Sequence, residues 1–149
     1  MSVRPVLAAT AALSATAALL GGCATISQTV GKTWTMGLIG AQEVPGPGDP
    51  DGSGTAKVTA DATTGTICYE LTVQDISQPT AAHIHQGARG VAGPPVLQLK
   101  PPVTGSSKEC LDVDKQLAAA IIANPTGYYV NVHTADYPKG AIRGQLPPR

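Results

Sequence analysis

All three histidines of the chain fall in two short segments of extended pattern, His83 and His85 in Ala-Ala-His-Ile-His-Gln-Gly and His133 in Tyr-Tyr-Val-Asn-Val-His-Thr. Neutral imidazole ligates copper, zinc, nickel and iron. In a β-strand alternate side chains share a face, so His83 and His85 project together while Ile84 turns to the opposite side. The same period puts Tyr129, Asn131 and His133 on one face of the second segment and Tyr128, Val130 and Val132 on the other. Each segment thus has an apolar face fit for a core and a second face that carries imidazole. If the two strands end near each other, three nitrogens converge on one small volume, and a His-x-His pair with a third His from elsewhere builds a three-nitrogen metal site. The competing reading is three histidines at the core edge or in solvent, without a ligand.

Other side chains are candidates to complete such a site. Met36 has a thioether that suits Cu(I) as a soft fourth ligand, although Trp34 and Leu38 at strand spacing favour a place in the core. Asp136 and Tyr137, just past His133, offer a carboxylate and a phenol to an open position or to a ligand imidazole. The alternative for both is an ordinary turn closed by Pro138-Lys139-Gly140. Arg143 either faces an anion or pairs with a carboxylate of a neighbouring strand, and Gln42 and Glu43 suit a structural hydrogen-bonding role.

The elements that must carry these residues read as short strands broken by Gly/Pro turns. Strands are expected over 34–39, 55–60, 66–73, 81–85, 96–99, 109–113, 128–133 and 141–146. The segments 55–60 and 66–73 form a hairpin around Asp61-Ala62-Thr63-Thr64-Gly65, and Pro45 to Gly52 is a loop. One helix is expected, opened by Asp114 as N-cap and stopped before Pro125. This pattern predicts an all-β domain, an antiparallel, Greek-key-like β-sandwich with one short helix in a connection. Phe is absent, so the core must be built from Val, Ile, Leu and Ala. There is no phosphate-loop glycine pattern, no G-x-S-x-G elbow and no H-E-x-x-H helix.

The N-terminus reads as an export signal. Arg4 is the only charge before a mostly apolar stretch too short to span a membrane comfortably, and small residues precede Cys23. Leu20-Gly21-Gly22-Cys23 closely resembles the bacterial lipobox, which implies cleavage before Cys23 and acylation of that cysteine; a plain signal peptide or a short helical anchor is the alternative. The expected organisation is a signal peptide over 1–22, a lipidated tether over 23–32 and a domain over 33–149, held on a membrane surface by acyl chains. Without Arg4 the charge is nine basic against ten acidic residues, with no basic run, which argues against nucleic acid as a partner. With Cys23 assigned to lipid, Cys68 and Cys110 remain as an even pair in an exported chain, for which a disulfide is the default. Two free thiols or a Cys–His metal site are the alternatives.

Taken in order, Gly40-Ala41-Gln42-Glu43-Val44-Pro45, Gly65-Thr66-Ile67-Cys68-Tyr69, Ala82-His83-Ile84-His85-Gln86-Gly87-Ala88, Gly90-Val91-Ala92-Gly93-Pro94, Asn124 to Thr134 and Gly140-Ala141-Ile142-Arg143-Gly144-Gln145-Leu146 closely resemble the CHRD domain, named from chordin and also found alone in bacterial secreted proteins and lipoproteins. The resemblance covers nearly all of residues 34–146 and implies a β-sandwich; the growth-factor antagonism of chordin does not carry over by fold alone. The His-x-His strand, the later Val-x-Val-His strand and the following Arg are also similar to the copper site of Cu/Zn superoxide dismutase. That resemblance implies His83, His85 and His133 as copper ligands and Arg143 as an anion-guiding residue. The chain departs from it by having no histidine in Gln86 to Lys100, where the bridging ligand would lie, and no zinc ligand set.

The expectation is therefore an exported lipoprotein that binds one copper ion, Cu(II) or Cu(I), and less readily zinc, through His83, His85 and His133, for sequestration or delivery to a copper-handling protein. A metal-free module that binds protein or glycan through its loops, and a copper-only dismutase-like enzyme, are the alternatives. An enzyme is the less favoured of the readings, and no catalytic residue is assigned.

Overall fold

The alternation read from the sequence becomes a row of strands with one apolar face each. A computed structural model describes residues 31–148 of the chain; the expected signal peptide, Cys23 and all of the expected tether but its last two residues lie outside them. The strands are β1 (Lys32–Ile39), β2 (Ser53–Asp61), β3 (Thr66–Gln74), β4 (Pro79–Gln86), β5 (Pro95–Leu99), β6 (Ser106–Asp112), β7 (Tyr128–Thr134) and β8 (Ile142–Gln145), with one helix, α1 (Lys115–Ala123), between β6 and β7. Trp34, Met36 and Leu38 of β1, Val58 of β2, Ile67, Tyr69 and Leu71 of β3, Ile84 of β4, Val130 and Val132 of β7 and Ile142 of β8 form the core. Alternate residues of each strand reach it, as a pleated strand requires.

Local signals account for the connections. Between β2 and β3 the Asp61 carboxylate accepts from the backbone of Thr63 (2.7 Å) and Thr64 (3.3 Å), and Gly65 takes a left-handed φ of +75° that a side chain would strain. Asp114 caps α1 by accepting from the Gln116 amide at 2.7 Å, and Ala118 and Ile121 turn inward from the helix into the core.

All neighbours are antiparallel, in the order β5-β4-β7-β8-β1-β2-β3-β6. The joint between β8 and β1 is a single residue pair, Ile39 with Arg143. Two four-stranded halves fold about that joint and share one core, so the expected antiparallel sandwich is present as one continuously hydrogen-bonded sheet. The open edges meet where the Ser107 hydroxyl of β6 donates to the Lys100 carbonyl, just after β5, at 2.7 Å, and the Lys100 amide donates to the Tyr69 hydroxyl of the neighbouring β3 at 2.8 Å.

Cys68 and Cys110 are joined by a disulfide and are directly opposed in the register of β3 and β6. The bond ties down an edge strand that is mostly exposed and contributes only Leu111 to the margin of the core. Strand β6 begins three residues before the predicted 109–113. Its polar start, Ser106-Ser107-Lys108, has no apolar alternation and is held by the ladder with β3 and by the Ser107 hydroxyl, which donates to the Lys100 carbonyl at 2.7 Å. Likewise β1 starts at Lys32, two residues before the predicted strand, because its pairing with β2 extends to Ala60.

Candidate metal site

The site lies on the face of β4 and β7 turned away from the core. His83 and His85 stand on β4, flanked in the core by Ala82 and Ile84, and His133 stands on β7. The register sets His83 opposite Asn131 and His133 opposite Ala81, so those two histidines are diagonal neighbours, while His85 faces Tyr129. The His83 Nδ1 and His133 Nε2 atoms are 3.1 Å apart, and one ring nitrogen from each of the three histidines lies within 4.8 Å of the others. Metal–imidazole bonds of about 2.0–2.1 Å allow two ligand nitrogens to lie up to about 4 Å apart. A closing shift of about 1 Å at the widest pair therefore suffices to bring all three onto one ion.

Hydrogen bonds fix which nitrogens are free. His85 Nδ1 is 2.8 Å from the Gly93 carbonyl, which can only accept, so the proton sits on Nδ1 and Nε2 keeps its lone pair. That Nε2 is buried and has no hydrogen-bond partner, in a residue only 8% exposed. His133 is fixed in the same sense, its Nδ1 donating to the Pro138 carbonyl at 3.1 Å and its Nε2 turned toward His83. Both carbonyls do for these rings what outer partners do for metal-ligating histidines, setting tautomer and orientation. Burial is the main cause that holds His83 and His133 below the ordinary histidine pKa. The neighbouring imidazoles add to it, His85 for His83 and His83 for His133, while hydrogen bonds to Gln98 and to Pro138 act in the opposite direction. Neutral imidazole is the ligating form, so burial favours the state that a metal needs.

A polar layer continues from the histidines across β7 and β8. Tyr129 stacks on His85 with centroids 4.8 Å apart and planes 11° apart, and the Arg143 guanidinium carbon lies 3.4 Å above the centre of the same phenol ring. Gln145 donates from Nε2 to the carbonyls of Gly87 (2.8 Å), Thr126 (2.9 Å) and Tyr128 (2.8 Å). Glu43, 6% exposed, lies among Arg143, Asn131 and Gly140; burial raises its pKa from 4.5 to about 7, with Arg143, the Val44 amide and Asn131 pulling it down. The segment after β4 lies over this layer and brings the Gly93 carbonyl to His85.

Two of the four accessory candidates, Met36 and Asp136, stand apart from the imidazole nitrogens. Met36 is in the core, on the inner face of the sheet and against Gly144, where its thioether is turned away from the three histidines. The Asp136 carboxylate accepts from the Ser77 hydroxyl. Tyr137 closes a turn, its amide donating to Thr134 Oγ1 at 3.1 Å and its carbonyl accepting from Gly140 at 3.1 Å. Arg143 is close to the site but does not face solvent: it is 1% exposed, with Nη1 donating to the Val91 carbonyl and Nη2 to the Ala88 carbonyl, both at 3.0 Å, and Nη2 also to Gln145 Oε1 at 3.1 Å. An anion-guiding role needs a guanidinium that solvent ions can reach, and this one is sealed.

A family model of the CHRD domain matches residues 34–146. The chain belongs to the CHRD domain family. No curated protein and no solved structure matches it. In this CHRD domain most of the motifs that carry the resemblance gather on one face: Gln42 and Glu43, the His83 to Ala88 strand end, Gly90 to Pro94, Tyr129 to His133, and Arg143 to Gln145 contribute to the polar layer or its cover, while Gly65 to Tyr69 lies in the other half of the sheet. The placing of Tyr129 and Asn131 on the histidine face was foreshadowed by period two in β7, whereas the role of Gln145 was not read from the sequence. That of Gly93, which acts through its carbonyl, leaves no side-chain signal in the sequence.

Proposed function

We propose that the protein is an exported bacterial lipoprotein, acylated at Cys23, that holds one copper ion through His83, His85 Nε2 and His133 Nε2 for sequestration or delivery. The observation that carries this reading is the His85 Nε2 lone pair, buried without a partner beside two further imidazoles; a buried polar nitrogen left unpaired costs about 1–3 kcal/mol, which a metal bond would recover. Copper is favoured over zinc because, at a site of given nitrogen donors, Cu(II) binds more tightly than Zn(II). Cu(I) also accepts three nitrogen ligands without a fourth. When bound, the ion would supply an open coordination position for a small ligand or for a donor of another protein.

His83 and His133 are only half-buried and form the open side of the cluster, from which a copper-handling partner would take the ion. Competition of Cu(I), Cu(II) and Zn(II) against chelators of known affinity tests the metal. The expected result is one copper per chain held well above zinc in affinity, and equal or tighter zinc binding would overturn it. Labelling cells with a radioactive fatty acid tests the anchor: incorporation is expected in the native chain and not in Cys23→Ser, and an unlabelled native chain would refute the lipoprotein assignment.

A further inference from the structure

Arg143 is a buried cation whose contacts converge on one ligand. Its guanidinium carbon lies 3.4 Å over the centre of the Tyr129 ring, and Tyr129 lies flat on His85, so the three groups adjoin in sequence across β8, β7 and β4. The same guanidinium grips the loop after β4 through the carbonyls of Ala88 and Val91. That loop ends at Gly93, whose carbonyl accepts the His85 Nδ1 proton and whose amide donates to the Tyr129 hydroxyl at 3.2 Å. A Cβ at Gly93 would fall 1.6 Å from the Gln86 carbonyl oxygen, so the backbone there has no freedom to make room for a side chain.

We propose that Arg143 is a positioning residue for His85, acting through the Tyr129 ring and through the loop that carries the Gly93 carbonyl. One route sets the plane of the imidazole and the other sets its tautomer, and together they direct Nε2 toward His83 and His133. Arginine suits this task because its planar fork can span two carbonyls while its face stacks on an aromatic ring; a lysine ammonium does neither. His133 serves as an internal reference, since its tautomer is set by Pro138 on a different segment, out of reach of Arg143. The inference rests on the metal reading only for its consequence in affinity; the orientation of His85 exists without metal.

The test uses the purified, metal-free protein with 15N-labelled histidine, and imidazole nitrogen shifts to report each tautomer. Wild type should show His85 and His133 each as the Nδ1–H form. In Arg143→Lys, which keeps a cation beside Glu43, His85 should become a mixture of tautomers while His133 stays unchanged. Tyr129→Leu, which removes the middle of the three groups without unpairing a buried charge, should loosen His85 in the same selective way and covers the case in which Arg143→Lys does not fold. Copper affinity, read in parallel, should fall about 10–100-fold in either variant, as for the loss of an outer partner of a metal ligand. An unchanged His85 tautomer, or equal disturbance of His85 and His133, in a folded variant would overturn the proposal. Wild type that shows the two fixed tautomers yet binds no copper would refute the metal reading alone and leave the positioning role standing.

Discussion

At the scale of single residues, the two nitrogens of His85 have separate roles: Nδ1 is held by a carbonyl, and Nε2 is buried with its lone pair unused. Because burial holds His83 and His133 below the ordinary histidine value, they stay neutral, and able to ligate, to a lower pH than the unperturbed value of about 6.5. Copper affinity measured against pH should therefore begin its decline below about 6.5, and a midpoint above that value would contradict the account. The same depression makes the metal-free protein less stable as pH falls through this range, since the unfolded chain takes up protons that the folded chain refuses. Glu43 has the opposite sign. With its folded pKa raised from 4.5 to about 7, its contribution to stability is fully present below about 4.5 and is lost as pH rises through about 7. Glu43→Gln should remove this dependence, worth about 3 kcal/mol at about 1.4 kcal/mol per unit, and leave in the urea-unfolding free energy between pH 4 and 8 the opposite dependence from His83 and His133. The histidines were legible in the sequence because their residue type and period-two spacing carry the signal. The burial of Glu43 was not, since a lone acidic residue beside a Gly/Pro-rich loop looks solvated until Arg143, Asn131 and Gly140 are brought around it from distant strands.

At the scale of elements, the sheet divides into a half that carries the site and a half that carries the disulfide. Strand β6 is at the far edge from β4 and β7, and little but Leu111 ties it to the core, so the Cys68–Cys110 bond is its main covalent restraint. Closing a loop across the sequence separation of 42 is worth roughly 4 kcal/mol in the chain-entropy model. The double variant Cys68→Ser, Cys110→Ser should lose stability of that order in urea titration while copper affinity stays within about twofold, because no residue of β6 touches the imidazoles. A large loss of copper affinity with the fold intact would show that the two halves are coupled. The strands with alternating apolar residues, β1 to β4 and β7, were legible as such, and the Asp114 and Pro125 signals marked the helix. The polar start of β6 and the loop that covers the site were not, because a backbone ladder and carbonyl contacts are indifferent to side-chain type.

At the scale of the whole molecule, the antiparallel all-β architecture follows from the turn spacing, but the continuity of the sheet depends on one pair, Ile39 with Arg143, which no pattern in the sequence announces. That pair places Arg143 in the layer behind the metal site, where its guanidinium is sealed from solvent. Copper-loaded protein should consequently react with superoxide far below the diffusional ceiling of about 10⁹ M⁻¹s⁻¹, and pulse radiolysis giving a protein-bound rate near that ceiling would make the molecule a dismutase. The most direct measurement of the central claim is titration of the untagged, metal-stripped protein with copper, beside the double variant His83→Ala, His85→Ala. The account predicts one ion per chain in the native protein and loss of that site in a variant whose fold, by circular dichroism, is unchanged; full affinity in the variant would contradict it.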